Sequence, residues 1–280
     1  MISSPLSSIP VVLTIAGSDS SGGAGIQADI KTISATGSYA CSVITASTAQ
    51  NTQGVFDVLP LPVSHVKQQL DAVFSDLNIV AVKIGMLANA EIVEVVANKL
   101  QAVRPDHLVI DPVLLSTSGR RLLSQDALKP LQEMLFPMAD LITPNIPEAA
   151  VLLGYASENS GNESTGSRPG MIADLKRLGL PAILLKGGHA DDPHYSQDWL
   201  ITDSATTMFS APRIHESNTH GTGCTLSSAI ASYLARGDSL SSAVAAAKTY
   251  ISGAIRHANQ LNVGQGKGPL HHFYRYAGDR

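Results

Sequence analysis

The feature that most narrows the folds open to this chain is an alternation that runs along almost all of it. Short apolar runs rich in β-branched residues are followed, again and again, by longer stretches with helical periodicity. Strands are expected at 11–16, 41–46, 79–84, 107–110, 141–143 and 182–186, with a hairpin from Trp199 to Phe209. Helices are expected from the loop after the first strand to about Ala35, then at 66–74, 90–103, 125–135, 147–154, 171–178, 222–235 and 240–258. Strands that alternate with helices imply parallel βαβ units, and so an α/β fold with helices on both faces of the sheet. With 280 residues, 44% of them hydrophobic and 15% charged, the chain can bury one large core and carries too little charge to stay disordered. One domain over 1–280 is expected, with the Ser, Gly and Asn-rich run 155–170 as a surface loop inside it.

Charge and cysteine usage exclude several classes. A net charge of −4 with no Lys or Arg cluster gives no face for a phosphate backbone, so no nucleic-acid partner is expected. Cys41 and Cys224 belong to no metal-ligand spacing, nor do the nine histidines, and both cysteines read as reduced thiols. No Lys or Arg precedes Lys31, and no apolar run approaches the roughly 18 residues of a membrane span. A cytoplasmic protein, neither secreted nor in a membrane, is expected.

Parallel α/β sheets put ligands at the carboxyl ends of their strands, and the residues just after each apolar run are unusually polar here. They include Gly17-Ser18-Asp19, Gln50-Asn51-Thr52, Lys83 to Met86, Asp111-Pro112-Val113, Thr143 to Glu148, Lys186-Gly187-Gly188-His189 and Thr219 to Cys224. Gly23-Ala24-Gly25-Ile26-Gln27-Ala28 matches a dinucleotide fingerprint, but no Asp or Glu lies between Asp29 and Asp57 to hold a ribose, which leaves a turn into a helix or a substrate loop. Neither a P-loop nor a GxSxG elbow is present. Asn145-Ile146-Pro147-Glu148 reads as a helix capping box, or as an Asn and a Glu ordering water around Mg²⁺ on nucleotide phosphates. Thr219-His220-Gly221-Thr222-Gly223-Cys224 leads into an apolar helix, so free N–H groups and the helix dipole converge on an anion hole suited to a phosphoryl group. Cys224 there is either a small hydrophobe at a tight helix start or a thiol whose pKa the helix field lowers until it serves as a base. Lys186 could neutralise phosphates, Gln50 offers a carboxamide to an aminopyrimidine edge, and Met86 and Val113 offer apolar faces to a flat ring; solvent-facing loop and core packing are their plainer alternatives.

Together these segments resemble the hydroxymethylpyrimidine/phosphomethylpyrimidine kinases of thiamine biosynthesis, in the ribokinase-like superfamily. The resemblance covers nearly the whole chain, from Ile15-Ala16-Gly17-Ser18-Asp19 and Ser21 to Asp29, through Ala49-Gln50-Asn51-Thr52, Lys83 to Leu87 and Asp111-Pro112-Val113. It continues through Thr143 to Ala149, Leu185 to His189 and Asn218 to Thr225; only 155–170 departs, by expansion in Ser and Gly. The resemblance implies a three-layer α/β/α sandwich around a mostly parallel sheet. It implies phosphoryl transfer from ATP, with Mg²⁺, to 4-amino-5-hydroxymethyl-2-methylpyrimidine and then to its monophosphate. Substrate would be held by Gln50, Gly17, Asp29, Met86 and Val113; Gly221, Thr222, Gly223 and Cys224 would form the anion hole and base. Asn145 and Glu148 would order magnesium, Lys186 would meet the ATP phosphates, and Lys248 would flank the nucleotide. A homodimer is also implied. The alternatives are a pyridoxal or pyridoxine kinase of vitamin B6 salvage and a non-catalytic pyrimidine-binding regulator.

Overall fold

In the computed structural model, which describes residues 8–116, 119–155, 168–187 and 192–276, the apolar runs assemble into one sheet. Its strands are β1 (Val11–Asp19), β2 (Tyr39–Asn51), β3 (Gly54–Pro60), β4 (Ile79–Ile84), β5 (His107–Ile110), β6 (Leu141–Ile142), β7 (Ala182–Lys186), β8 (Tyr195–Thr202) and β9 (Thr206–Pro212). Their spatial order is β3-β2-β1-β4-β5-β6-β7-β8-β9. Strand β1 pairs in parallel with β2 on one side and β4 on the other, and parallel pairing continues from β4 to β7. Strands β3, β8 and β9 join antiparallel at the two edges. The chain therefore reverses its direction of growth across β1, and in open α/β sheets the crevice at such a switch point is where ligands sit.

The strands read as unbroken apolar runs because both faces are covered. On one face Leu13, Ile15, Val82 and Ile84 pack with Val66 and Leu70 of α2 (Val63–Asp76) and with Ile92, Val96 and Leu100 of α3 (Ala90–Val103). Side chains one residue out of step, Val12, Ala81 and Val109, point the other way. They meet Ile33 of α1 (Gly25–Ala35), Ile230 of α7 (Thr222–Ala235) and Val244 and Tyr250 of α8 (Leu240–Arg256).

Three expectations change. Strand β2 runs through Gln50 to Asn51, because it gains an antiparallel partner, β3, that the periodicity did not mark. Strand β3 has no fully buried residue, and its Pro60 is tolerated because an edge strand can spare an N–H. The helix expected at 125–135 is a chain of single turns over 125–138, of which α4 (Leu128–Pro130) is the α-helical one. Pro130 and Pro137 withhold backbone donors there and break the ladder. Helices α5 (Ile146–Leu152) and α6 (Arg168–Arg177) complete the set. Of the Ser/Gly-rich run 155–170, positions 156–167 lie outside the described residues, as do Gly188 and His189.

Candidate active site

The carboxyl ends of β1, β2 and β4 enclose a cavity of about 70 Å³ whose wall includes Gly17, Asp19, Thr48, Lys83, Met86, Val113 and Cys224. Four of the expected site residues, Gly17, Met86, Val113 and Cys224, thus meet in one place although they come from four separate segments. Gly17 sits where the register between β1 and β2 shifts. A Cβ added to it would lie 3.1 Å from Met86 Sδ, so the thioether occupies the space a side chain would need. Met86 is held in turn by Thr45, whose hydroxyl donates to its carbonyl at 2.6 Å.

Helix α7 begins at this cavity. Its N-cap, Gly221, has φ +83°, and a Cβ there would come within 1.9 Å of Gly23 O, so both conformation and space demand glycine. Among the described residues, no carbonyl or side chain accepts from the N–H of Gly223 or Cys224. Those two free donors and the helix dipole form an anion-binding end. A Cβ on Gly223 would lie 3.3 Å from Lys186 Nζ and 3.4 Å from Asp111 Oδ2, so the free amides adjoin a cation.

The Cys224 thiol corrects a sequence expectation. Burial pushes its pKa up to about 11, Lys83 opposes the rise, and Asp29 and Asp111 add to it. Withdrawal from water thus outweighs the helix field, and the thiol is protonated at neutral pH in the free protein.

Lys186, at the end of β7, donates to Asp111 Oδ1 at 2.6 Å and lies 3.8 Å from Glu148 Oε2. Thr143 also donates to Asp111 Oδ1, at 3.1 Å. The capping box of α5 is complete: the Glu148 N–H donates to Asn145 Oδ1 and the Asn145 N–H to Glu148 Oε2, both at 2.8 Å. The two alternatives for this motif are therefore compatible, since the capped carboxylate also faces Lys186. Burial raises the Glu148 pKa to about 7, with Lys186 pulling down and Asp111 pushing up. No group of three or more His, Cys, Asp or Glu gathers as a ligand set among the described residues. The paired carboxylates Asp111 and Glu148 suit a divalent cation whose remaining ligands are phosphate oxygens and water.

Two expected residues are placed otherwise. Asp29 is fully buried beneath the cavity and absent from its wall. Its carboxylate accepts from Lys83 Nζ at 2.9 and 3.0 Å, from Thr14 at 2.6 Å and from Ser228 at 2.7 Å, so its acceptor sites are taken by protein. Lys248 donates to Asp198 Oδ2 at 2.6 Å and to Ser196 at 3.0 Å. Asp198 in turn accepts from the Gly187 N–H at 2.9 Å, so Lys248 supports the turn that follows Lys186. Gln50 lies beside the cavity wall, bonded to Thr48 and His220.

Asp111, Lys83, Asp19 and His220 were not singled out from sequence, although all four lie in strand-end or glycine-rich segments that were. What marks them is charge in an apolar or small-residue context at the end of a strand; their partners come from distant segments, and only the fold supplies those.

Comparison with known proteins agrees with this geometry. A family model described as phosphomethylpyrimidine kinase matches residues 19–271. The chain is 49% identical over 264 residues to an Escherichia coli (strain K12) protein named hydroxymethylpyrimidine/phosphomethylpyrimidine kinase, covering 94% of this chain and 97% of that one. Among solved structures it resembles a phosphomethylpyrimidine kinase from Clostridium difficile 630, with 44% identity, a TM-score of 0.73, and 88% of this chain and 99% of that one covered. It also resembles an ADP complex of Bacillus subtilis pyridoxal kinase, with 31% identity, a TM-score of 0.85, and coverage of 97% and 100%. The fold is thus the ribokinase-like α/β/α sandwich. No helix among the described residues is long and apolar enough to cross a membrane.

Proposed function

Because the chain belongs to the phosphomethylpyrimidine kinase family, we propose that it transfers the γ-phosphoryl group of ATP to the hydroxymethyl group of 4-amino-5-hydroxymethyl-2-methylpyrimidine, and then to the resulting monophosphate. The observation that carries this reading is the convergence of Gly17, Met86, Val113 and Cys224 on one cavity, beside a helix N-terminus that adjoins Lys186.

The aminopyrimidine lies between Met86 and Val113 with its edge toward Gln50, and its hydroxymethyl points to Cys224. The hydroxyl oxygen forms a bond to the γ-phosphorus as the bond from that phosphorus to the bridging oxygen breaks, and ADP leaves. The hydroxyl proton passes to the Cys224 thiolate. Such transfer demands little covalent chemistry, so position and charge supply most of the acceleration. The free amides of Gly223 and Cys224 hold the transferring group, and Lys186 offsets its charge. Asn145 and Glu148, with Asp111, would hold Mg²⁺ through water, and the ion supplies neutralisation of phosphate charge when bound.

The raised Cys224 pKa means that only a small fraction is thiolate at neutral pH, so the base role carries a distinctive dependence on pH. A net charge of −4 supports small-molecule rather than nucleic-acid partners, and one continuous nine-stranded sheet supports a single domain; the small-molecule chemistry fits a cytoplasmic enzyme. The half-exposed edge strand β3, with Phe56 and Leu59 each 63% exposed, supports a homodimer.

The test is a coupled ATP-consumption assay with Mg²⁺ and product masses, run on hydroxymethylpyrimidine, its monophosphate, pyridoxal and no substrate. Conversion of the first two to mono- and diphosphate is expected. The likeness to pyridoxal kinases makes turnover of pyridoxal alone the outcome that would reassign the enzyme to vitamin B6 salvage. Saturable pyrimidine binding without turnover would make it a binding protein.

A further inference from the structure

A chain of hydrogen bonds beside the cavity dictates which end of the Gln50 carboxamide faces which neighbour. It starts at Asp19, whose buried carboxylate accepts from the Ser21 N–H and hydroxyl at 2.8 and 2.7 Å, and from the Gly23 and Ala24 N–H groups at 3.1 and 2.8 Å. His220 Nε2 lies 2.8 Å from Asp19 Oδ2. A carboxylate held by so many donors is ionised; burial alone would raise its pKa, but the bonds from His220 and Ser21 bring it down to about 2. His220 Nε2 must then carry a hydrogen, since a lone pair at that distance from a carboxylate oxygen would be repelled.

The next link is Gln50. With its Nε2 3.1 Å from His220 Nε2 and its Oε1 3.0 Å from Thr48 Oγ1, two faults arise. Two N–H donors face each other, and the single Thr48 proton is required by both Gln50 Oε1 and Ser18 O, the latter at 3.1 Å. Exchanging the carboxamide oxygen and nitrogen, which have nearly the same shape, removes both. His220 then shares its one Nε2 hydrogen, in a three-centre bond, between Asp19 Oδ2 and Gln50 Oε1, while Gln50 Nε2 donates to Thr48 Oγ1 and Thr48 donates to Ser18 O. The imidazole has little room to swing away, because it packs against Gly23, where an added Cβ would lie 2.4 Å from His220 Cδ2, and its backbone is fixed by the main-chain N–H of His220 donating to Gly268 O at 3.1 Å.

We propose that His220, held by Asp19, is a specificity-determining positioning residue that fixes the direction of the Gln50 carboxamide. The inference rests on the reading that Gln50 meets the ring edge. One oxygen lone pair and one N–H of Gln50 remain, in a set order. They match a ring edge with an amino donor next to a ring-nitrogen acceptor, and oppose one with a carbonyl next to a ring N–H. The enzyme therefore favours the 4-amino ring over its 4-oxo analogue, and it does so through His220.

The test is the ratio of kcat/KM for the 4-amino substrate to that for the 4-oxo analogue, 5-hydroxymethyl-2-methyl-4-oxopyrimidine. Two reversed hydrogen bonds should give the unaltered protein a ratio of about 10² or more. His220→Phe keeps a ring but frees the carboxamide to turn, and should lower the ratio about tenfold or more, whereas His220→Gln, which still presents an N–H, should hold it within about threefold. A purely structural lesion would lower both rates and leave the ratio. If His220→Phe does not fold, Thr48→Val, which removes the acceptor at the other end of the carboxamide, should lower the ratio in its place. An unchanged ratio in the folded His220 or Thr48 variant, alongside a ratio abolished by Gln50→Ala, would overturn the proposal and leave Gln50 reading the ring. A ratio unmoved by Gln50→Ala would overturn both.

Discussion

Two lysines stand near Cys224, close enough for each to favour its thiolate form, and they differ in how fully their own charge is answered. Lys83 and Asp29 are both fully buried, and Thr14 and Ser228 complete the shell around the carboxylate. Lys186 keeps a little exposure, has one close carboxylate in Asp111 and one distant one in Glu148, and adjoins amides that have no partner. A sealed pair can do little but hold β4 to α1 and α7, since any departure would strand a charge in a dry interior. An incompletely answered one can exchange its partner for a phosphate. The difference teaches that burial of a charged group is not what marks a working site; unspent hydrogen-bonding capacity beside the free amides of a helix start is.

The largest effect that could break this contrast belongs to the sealed pair. Asp29→Asn leaves the Lys83 ammonium buried without its counter-charge, and a loss of about 3–5 kcal/mol in denaturant unfolding is expected. A loss below about 1 kcal/mol would show that water reaches the pair. Next comes Cys224→Ala, expected to lower kcat/KM about 10²- to 10³-fold with little change in melting temperature. In the unaltered protein kcat/KM should climb about tenfold per pH unit from neutrality toward the thiol's pKa of about 11, and that limb should vanish in the variant. Near-normal turnover by Cys224→Ala would refute the base role while leaving the kinase intact.

A smaller effect sharpens the sealed side. Thr14→Val removes the hydroxyl that donates to Asp29 at 2.6 Å, and about 1.5–3 kcal/mol of stability should go with it while turnover by the folded fraction is kept. The smallest effect concerns the open side. The Glu148 pKa is raised from 4.5 to about 7 in the folded protein, so folding takes up a proton between those values. Stability contributed by this group is therefore present below pH 4.5 and lost as pH rises through about 7. Glu148→Gln should remove that part of the slope in unfolding free energy against pH, and an identical slope in both proteins would show that Glu148 does not titrate there.

The fold was largely legible because its strands are covered on both faces: β4, β5 and β7 have the bounds that their apolar runs suggest. Strand β3 was not legible, since an exposed edge strand leaves no apolar pattern to read. At the site, glycines at Gly17 and Gly221 were visible because close approach and positive φ restrict residue type. Asp29 was misplaced for a different reason. The resemblance alone assigned it to the substrate, and only Lys83, 54 positions away, with Ser228, 199 away, reveals that its carboxylate is spent. The same holds for Cys224, whose helix-start position was readable but whose desolvation depends on segments from β1, β2, β4 and the loop of Val113 meeting around it.

The most direct test of the contrast is the double variant Asp111→Asn with Lys186→Met, which removes both charges of the open pair and so strands neither. Its melting temperature and its kcat/KM for hydroxymethylpyrimidine would be measured together. The expected result is a melting temperature close to that of the unaltered protein and a kcat/KM at least about 10²-fold lower, because the charge lost is one the phosphates need. A variant that keeps kcat/KM within about threefold, or that loses activity only by unfolding, would show that the open pair is as structural as the sealed one and would contradict the account.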